Sequence, residues 1–205
     1  WIASSSGIIH LNIRNGILDE SKLKSLNKKY FKADQLYCLL PYDADRMWIG
    51  SGNNGLFLFN KKTMTIEANY TEKNGLSNNF IYGILNDNSG KLWMSSNRGI
   101  SVFDPVVNKF RNYDINDGLQ SNEFNGGAFY KTSENVLLFG GINGFNIIEP
   151  DKIPFNSFKP FVNITNIKSD DSIYTVFPYT KQLKRLKLAN NQNNLAFEFA
   201  SSDYV

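Results

Sequence analysis

Cysteine is nearly missing from this chain. Cys38 is the only one in 205 residues, so neither an internal disulfide nor a cysteine-based zinc site can be built. It sits in the apolar run Leu36-Tyr37-Cys38-Leu39-Leu40 and reads as a small buried hydrophobe. Histidine is equally scarce: His10 has no second imidazole to share a metal with. Charge of one sign is lacking too. Lysine and arginine number 22 against 19 acids, and the net charge is +3. The nearest basic cluster, Lys181, Lys184, Arg185 and Lys187, alternates with other residues as a solvated strand or turn would, so nucleic acid is not an expected partner. No apolar run reaches the roughly 18 residues that cross a bilayer, and no leader opens the chain. With Trp1 in mid-strand and an abrupt stop at Val205, the chain reads as a piece of something longer. There is no Gly-Xaa-Ser-Xaa-Gly elbow and no phosphate-cradling loop. No cofactor is expected.

What the chain does have is a repeat. Apolar residues make up 41%, aromatics 14% and charged residues only 20%, which suits an ordered, strand-rich protein. Trp1-Ile2-Ala3-Ser4 with Gly7 returns as Trp48-Ile49-Gly50-Ser51 with Gly55, and as Trp93-Met94-Ser95-Ser96 with Gly99. Leu138-Phe139-Gly140-Gly141 with Gly144 is a fourth copy, with Leu in place of Trp. The spacings are 47, 45 and 45 residues, inside the ~40–50 residue period of four-stranded propeller blades. So short a unit cannot bury its apolar face alone and must stack on its neighbours.

The best copy predicts strands over Phe80–Leu85, Lys91–Ser96, Ile100–Phe103 and Lys109–Tyr113, with Asp87-Asn88-Ser89-Gly90 as a turn. The preceding copy predicts Leu36–Leu40, Met47–Ser51, Leu56–Phe59 and Thr65–Tyr70. The following one predicts Phe124–Tyr130, Val136–Gly140 and Phe145–Ile148, with no fourth strand after Pro150. Residues 13–35 fit worst, and a short helix or a ragged edge strand would both suit them. Beyond Glu149-Pro150-Asp151 the rhythm ceases, and strand-like runs follow at Phe161–Ile167, Leu183–Leu188 and Asn194–Ala200.

The string from Asn79 to Ser96 with Gly99-Ile100, and the lead-ins Gly75-Leu76-Ser77-Asn78 and Gly118-Leu119-Gln120-Ser121-Asn122, resemble the two-component regulator propeller repeat. The final run with Ser201-Ser202-Asp203-Tyr204 is similar to the opening of the triple-tyrosine immunoglobulin-like domain that follows such propellers. The expected fold is therefore all-β: propeller blades over residues 1–152, then the beginning of an immunoglobulin-like β-sandwich over 153–205. The resemblance implies the periplasmic sensing region of an inner-membrane hybrid histidine kinase. It also implies an oligosaccharide ligand derived from a polysaccharide, and a homodimer in the whole receptor. A secreted propeller glycosidase or lyase, or a protein-binding scaffold, are the alternatives.

Trp48 and Trp93 invite a sugar-stacking role, yet both hold one repeat position, where Leu138 keeps apolar volume without the flat ring. Core packing is the expected role. Ligand candidates lie instead in the second-to-third and fourth-to-first connections, which share one face: Asn53, Asn54, Asn78, Asn79, Asn97, Arg98, Asn122, Glu123 and Asn143, with Ile142 beside them. Amide and guanidinium groups bind hydroxyls and carboxylates through directed hydrogen bonds, although loops favour Asn for structural reasons as well. Arg98 stands out because a turn requires no charge there. The stretch Asp87 to Trp93 is similar to the sialidase Asp-box, but two residues separate Asp from Gly where that turn has one. No inward-facing carboxylate pair for glycoside hydrolysis is evident, and no catalytic residue is assigned.

Overall fold

The computed structural model describes residues 1–14, 16–18, 23–31, 34–153, 162–169, 172–175, 190 and 194–201. The chain divides into two units, Trp1–Ile153 and Pro154–Val205.

The first unit opens with two antiparallel pairs, β1 (Ile2–Ser4) with β2 (Gly7–Ile9) and β3 (Leu11–Asn12) with β4 (Ile17–Leu18), followed by helix α1 (Leu23–Tyr30). Two four-stranded meanders come next: β5 (Leu36–Pro41), β6 (Arg46–Ser51), β7 (Leu56–Asn60) and β8 (Thr65–Tyr70), then β9 (Ile81–Asn86), β10 (Leu92–Ser96), β11 (Gly99–Asp104) and β12 (Lys109–Tyr113). A three-stranded sheet closes the unit, with β13 (Phe124–Lys131), β14 (Leu137–Gly141) and β15 (Gly144–Ile148). These are propeller blades in repeat order.

Side chains along a strand alternate between faces, and here both faces are covered. From β10, Leu92 and Met94 join Trp48, Leu56 and Leu58 in a core between the second and third blades. Trp93, between them in sequence, points the other way and packs with Phe124, Leu137 and Phe139 of the fourth blade. In the same manner Met47 and Ile49 of β6 face the first blade while Trp48 faces the third. Double-sided burial explains why the middle strands read as unbroken apolar runs. Trp48 is 1% exposed and Trp93 4%.

The turns repeat as well. In the first-to-second turn of the third blade, Asp87 accepts hydrogen bonds from the main-chain N–H of Ser89 (2.9 Å) and Lys91 (3.0 Å) and from the indole N–H of Trp93 (2.9 Å). Burial pushes its carboxyl up, but these bonds and that from the Ser89 hydroxyl outweigh it and hold the group below its ordinary value. One repeat earlier Tyr42 occupies the matching position. Its ring lies 5.4 Å from that of Trp48, and the buried Trp48 indole N–H has no acceptor among the described residues. The glycine after each Trp phrase is dictated by space and by backbone. Gly55 and Gly99 have φ of 78° and 80°, and a Cβ on either would lie 2.1 or 2.0 Å from the carbonyl oxygen of Tyr70 or Tyr113.

The ambiguous stretch before the second blade contains a helix. Leu23 and Leu26 of α1, three residues apart, are buried with Ile8 and Phe31, and Lys28 and Lys29 complement the negative C-terminal end. Asn27 does what a neighbouring strand would do: its Oδ1 accepts from Ile8 N–H (3.1 Å) and its Nδ2 donates to Ile8 C=O (2.9 Å). A Cβ on Gly7 would fall 2.5 Å from that amide. His10 lies between β2 and β3 and stacks on Trp1, with ring centroids 4.4 Å apart.

The described residues of the second unit form one antiparallel sheet in the order β17 (Ser172–Thr175), β16 (Val162–Ser169), β18 (Leu195–Ser201). Ile167 and Ser169 are buried, whereas Phe197 and Phe199 are exposed. Glu198 accepts from Asn166 Nδ2 at 2.6 Å and pairs with Lys168. The expected strand at Leu183–Leu188, the basic residues around Lys184 and the segment Ser202–Tyr204 lie outside the described residues.

Candidate functional site

The face carrying the second-to-third and fourth-to-first connections is built by two nearly identical loops. After β8 a 3-10 turn at Glu72–Asn74 leads to Gly75, and after β12 the same turn at Ile115–Asp117 leads to Gly118. Each loop is then latched onto the following blade. Ser77 N–H donates to Ser101 Oγ (3.0 Å) and Asn112 Nδ2 to Gly75 C=O (3.0 Å); one repeat on, Gln120 N–H donates to Asn146 Oδ1 (3.0 Å).

That construction sorts the candidate residues. Asn79 and Asn122 are committed to the scaffold. Their side-chain oxygens accept from the N–H of Glu72 (2.9 Å) and Ile115 (3.0 Å), and their carbonyls accept from Gly55 (2.9 Å) and Gly99 (2.7 Å). Asn78 accepts from Phe80 N–H at 2.9 Å, an Asx turn that starts β9. Asn54 and Asn53 both donate to the buried carboxylate of Asp34, at 2.7 and 3.4 Å. Glu123 offers its carbonyl to Gln120 Nε2 (3.1 Å), and Asn143 donates its N–H to Gln120 Oε1 (2.7 Å). Ile142 is exposed.

Asn97 and Arg98 keep more freedom. Asn97 is exposed and accepts from the Tyr82 hydroxyl at 3.0 Å, leaving its Nδ2 donors uncommitted among the described residues. Arg98 is exposed, is anchored only through its main-chain N–H to Ser96 Oγ (3.0 Å), and has no carboxylate partner among the described residues. It borders an open cleft of about 540 Å³ whose walls are Glu72, Gly75, Leu76, Ser77, Asn112, Tyr113, Asp114 and Asn122. The acids of that cleft are engaged locally, Glu72 by Asn79 N–H (3.1 Å) and Asp114 by Asn116 N–H (2.7 Å). Of the sequence candidates, the fold brings Arg98 and Asn122 to one cavity. Glu72 and Asp114 were missed because they sit in the 3-10 turns, whose place on this face depends on the latches. Among the described residues no three His, Cys, Asp or Glu side chains cluster as a metal site would need, and no helix is long and apolar enough to cross a membrane.

Residues 75–98, from the lead-in glycine to Arg98, match the two component regulator propeller model. The chain carries a regulator propeller repeat. It is also 26% identical over 219 aligned positions to Histidine kinase P4 of Formosa agariphila, an alignment that takes in 100% of this chain and 16% of the kinase. Two solved structures from B. thetaiotaomicron share the fold. The extracellular domain of BT4673, assigned to a one component system, superposes with a TM-score of 0.60 at 21% identity over 85% of this chain and 24% of its own. That of BT3049, assigned to a hybrid two component system, gives 0.59 at 23% identity over 82% and 23%. This chain thus spans about a sixth of its kinase relative and about a quarter of each domain. The matched stretch holds Asn78, Asn79, Asn97 and Arg98, two of them scaffold and two exposed.

Proposed function

We propose that this chain is part of the extracytoplasmic sensing region of a two-component receptor, periplasmic in placement, and that its loop face binds an oligosaccharide released from a polysaccharide. The observation that carries the reading is the Arg98 cleft: a cation without a carboxylate partner among the described residues, beside amides and hydroxyls, in a cleft whose two acids, Glu72 and Asp114, are engaged by main-chain N–H groups. Such donors match sugar hydroxyls and the carboxylate or sulfate of an acidic sugar. A ligand that favours one arrangement of the receptor over another would bias a kinase beyond the membrane by its differential affinity. A homodimer of the whole receptor fits that relay. Sensing rather than turnover is supported by the kinase relative.

The test is a thermal-shift and calorimetric screen of the chain against manno-, xylo-, cello- and galacturono-oligosaccharides. A ligand held only by the folded state raises Tm. Arg98→Ala is expected to weaken an acidic oligosaccharide about tenfold, in line with the ~1.5–3 kcal/mol of a charged hydrogen bond, with Tm of the free protein unchanged. Unchanged affinity removes Arg98 from the site, no shift with any probe removes the saccharide reading, and hydrolysis of a probe turns the chain into an enzyme.

A further inference from the structure

The first strands of two successive blades carry an aromatic cluster that the Arg98 cleft does not use. Tyr37 of β5, Phe80 at the entrance of β9 and Tyr82 within it are each half-buried. Their ring centroids lie 4.8 Å (Tyr37–Phe80), 4.5 Å (Phe80–Tyr82) and 5.7 Å (Tyr37–Tyr82) apart, at interplanar angles of 50°, 43° and 79°. The third blade's neighbour contributes a gap. Gly126 of β13 is exposed, and a Cβ there would lie 3.5 Å from the rings of both Tyr37 and Tyr82. Gly126 itself places no side chain over them on that side. Polar groups frame them: the Tyr82 hydroxyl holds Asn97, and the Tyr37 hydroxyl donates to Gln35 Oε1 at 3.3 Å.

Three half-exposed rings are more than packing requires. The deep core between these blades is already filled by aliphatic side chains together with Trp48 and Phe103. A partly exposed aromatic surface edged by amides suits one ligand chemistry well. The C–H face of a pyranose presents weakly positive hydrogens to the negative face of a ring, while its equatorial hydroxyls reach sideways for amide donors and acceptors. We propose that Tyr37, Phe80 and Tyr82, with Gly126 as the open side and Asn97 and Gln35 at the rim, form a stacking subsite for a pyranose ring. This deepens the saccharide reading and rests on it, adding a platform at the first strands to the cleft bordered by Arg98.

The experiment uses the whole chain and the same four oligosaccharide series, titrated by calorimetry. Gly126→Leu fills the open side without altering any ring or amide; its backbone is outside the left-handed region and the neighbouring distances are ordinary contacts. It is expected to weaken the bound probe about tenfold, the scale of one lost aromatic contact, with Tm unchanged. Phe80→Leu, which keeps apolar volume and loses the flat ring, is expected to do the same, whereas Tyr82→Phe retains most of the affinity. If a probe binds and both Gly126→Leu and Phe80→Leu leave its Kd within twofold, the platform is refuted while the saccharide reading stands. If no probe binds the unaltered chain, both fall. Should Phe80→Leu fail to fold, Gly126→Leu alone decides.

Discussion

Trp48 and Trp93 occupy one repeat position with nearly the same burial, yet their indole nitrogens live differently. Trp93 donates to Asp87, while Trp48 faces Tyr42 and has no acceptor among the described residues. A buried donor without an acceptor carries a desolvation penalty of about 1–3 kcal/mol, and a buried carboxylate stripped of a donor carries a comparable one. Trp93→Phe is therefore expected to destabilise the chain by roughly 2 kcal/mol more than Trp48→Phe, because the first strands Asp87 and the second removes an existing fault. Urea unfolding of the two variants side by side checks this, and equal losses would refute it. The same scale explains what the sequence showed of the site and what it did not. Asn79, Asn97 and Asn122 are indistinguishable as letters in polar loops. Only the closed 3-10 turns reveal that Asn79 and Asn122 accept from main-chain N–H groups, whereas Asn97 accepts from the Tyr82 hydroxyl. Tyr37, Phe80 and Tyr82 passed as core strand residues, because alternation reports which side a residue takes and not how deeply its blade covers it.

At the scale of elements, the strands were readable because each blade states its own pattern: a Trp phrase, a turn rich in Asp, Asn and Gly, and apolar residues on both faces. β12 and β8 coincide with the runs expected for them, and the other blade strands differ by a residue or two at their ends, as strand ends do. Beside a ragged edge strand, helix α1 is one of two readings that the sequence allows. It offers two buried leucines and no acidic first turn, and what selects a helix there is the capture of Ile8 by Asn27, a partner 19 residues away. Asn27→Ala is expected to release both Ile8 bonds and lower stability by about 2 kcal/mol. Hydrogen exchange at the Ile8 amide should accelerate at least as much as the global opening, and an unchanged rate would mean that another group satisfies it. A leucine at the same place would fill volume without restoring the bonds.

Within the first unit, the three cores are shared walls. The second and third blades each contribute alternate residues to two of them, so neither is stable by its own interior. Cys38 reports on one such wall. It lies in the core between the second and third blades, and burial pushes its thiol up to about 12. Thiolate is the reactive form, so at pH 8 the folded chain is expected to resist iodoacetamide, and alkylation should follow the opening of that wall. Labelling rates measured across a urea series would rise with the unfolded fraction; rapid labelling in buffer alone would show the wall to be loose.

The forward latches have a consequence for how such chains can be cut and rejoined. Ser77 is gripped by Ser101 and Gly75 by Asn112, so the lead-in belongs as much to the blade it precedes as to the sheet it leaves. A chimera exchanging the third blade between relatives would keep its fit if spliced ahead of residue 75, and would lose it if spliced at the first residue of β9. The heritable module is thus offset from the visible sheet by half a loop.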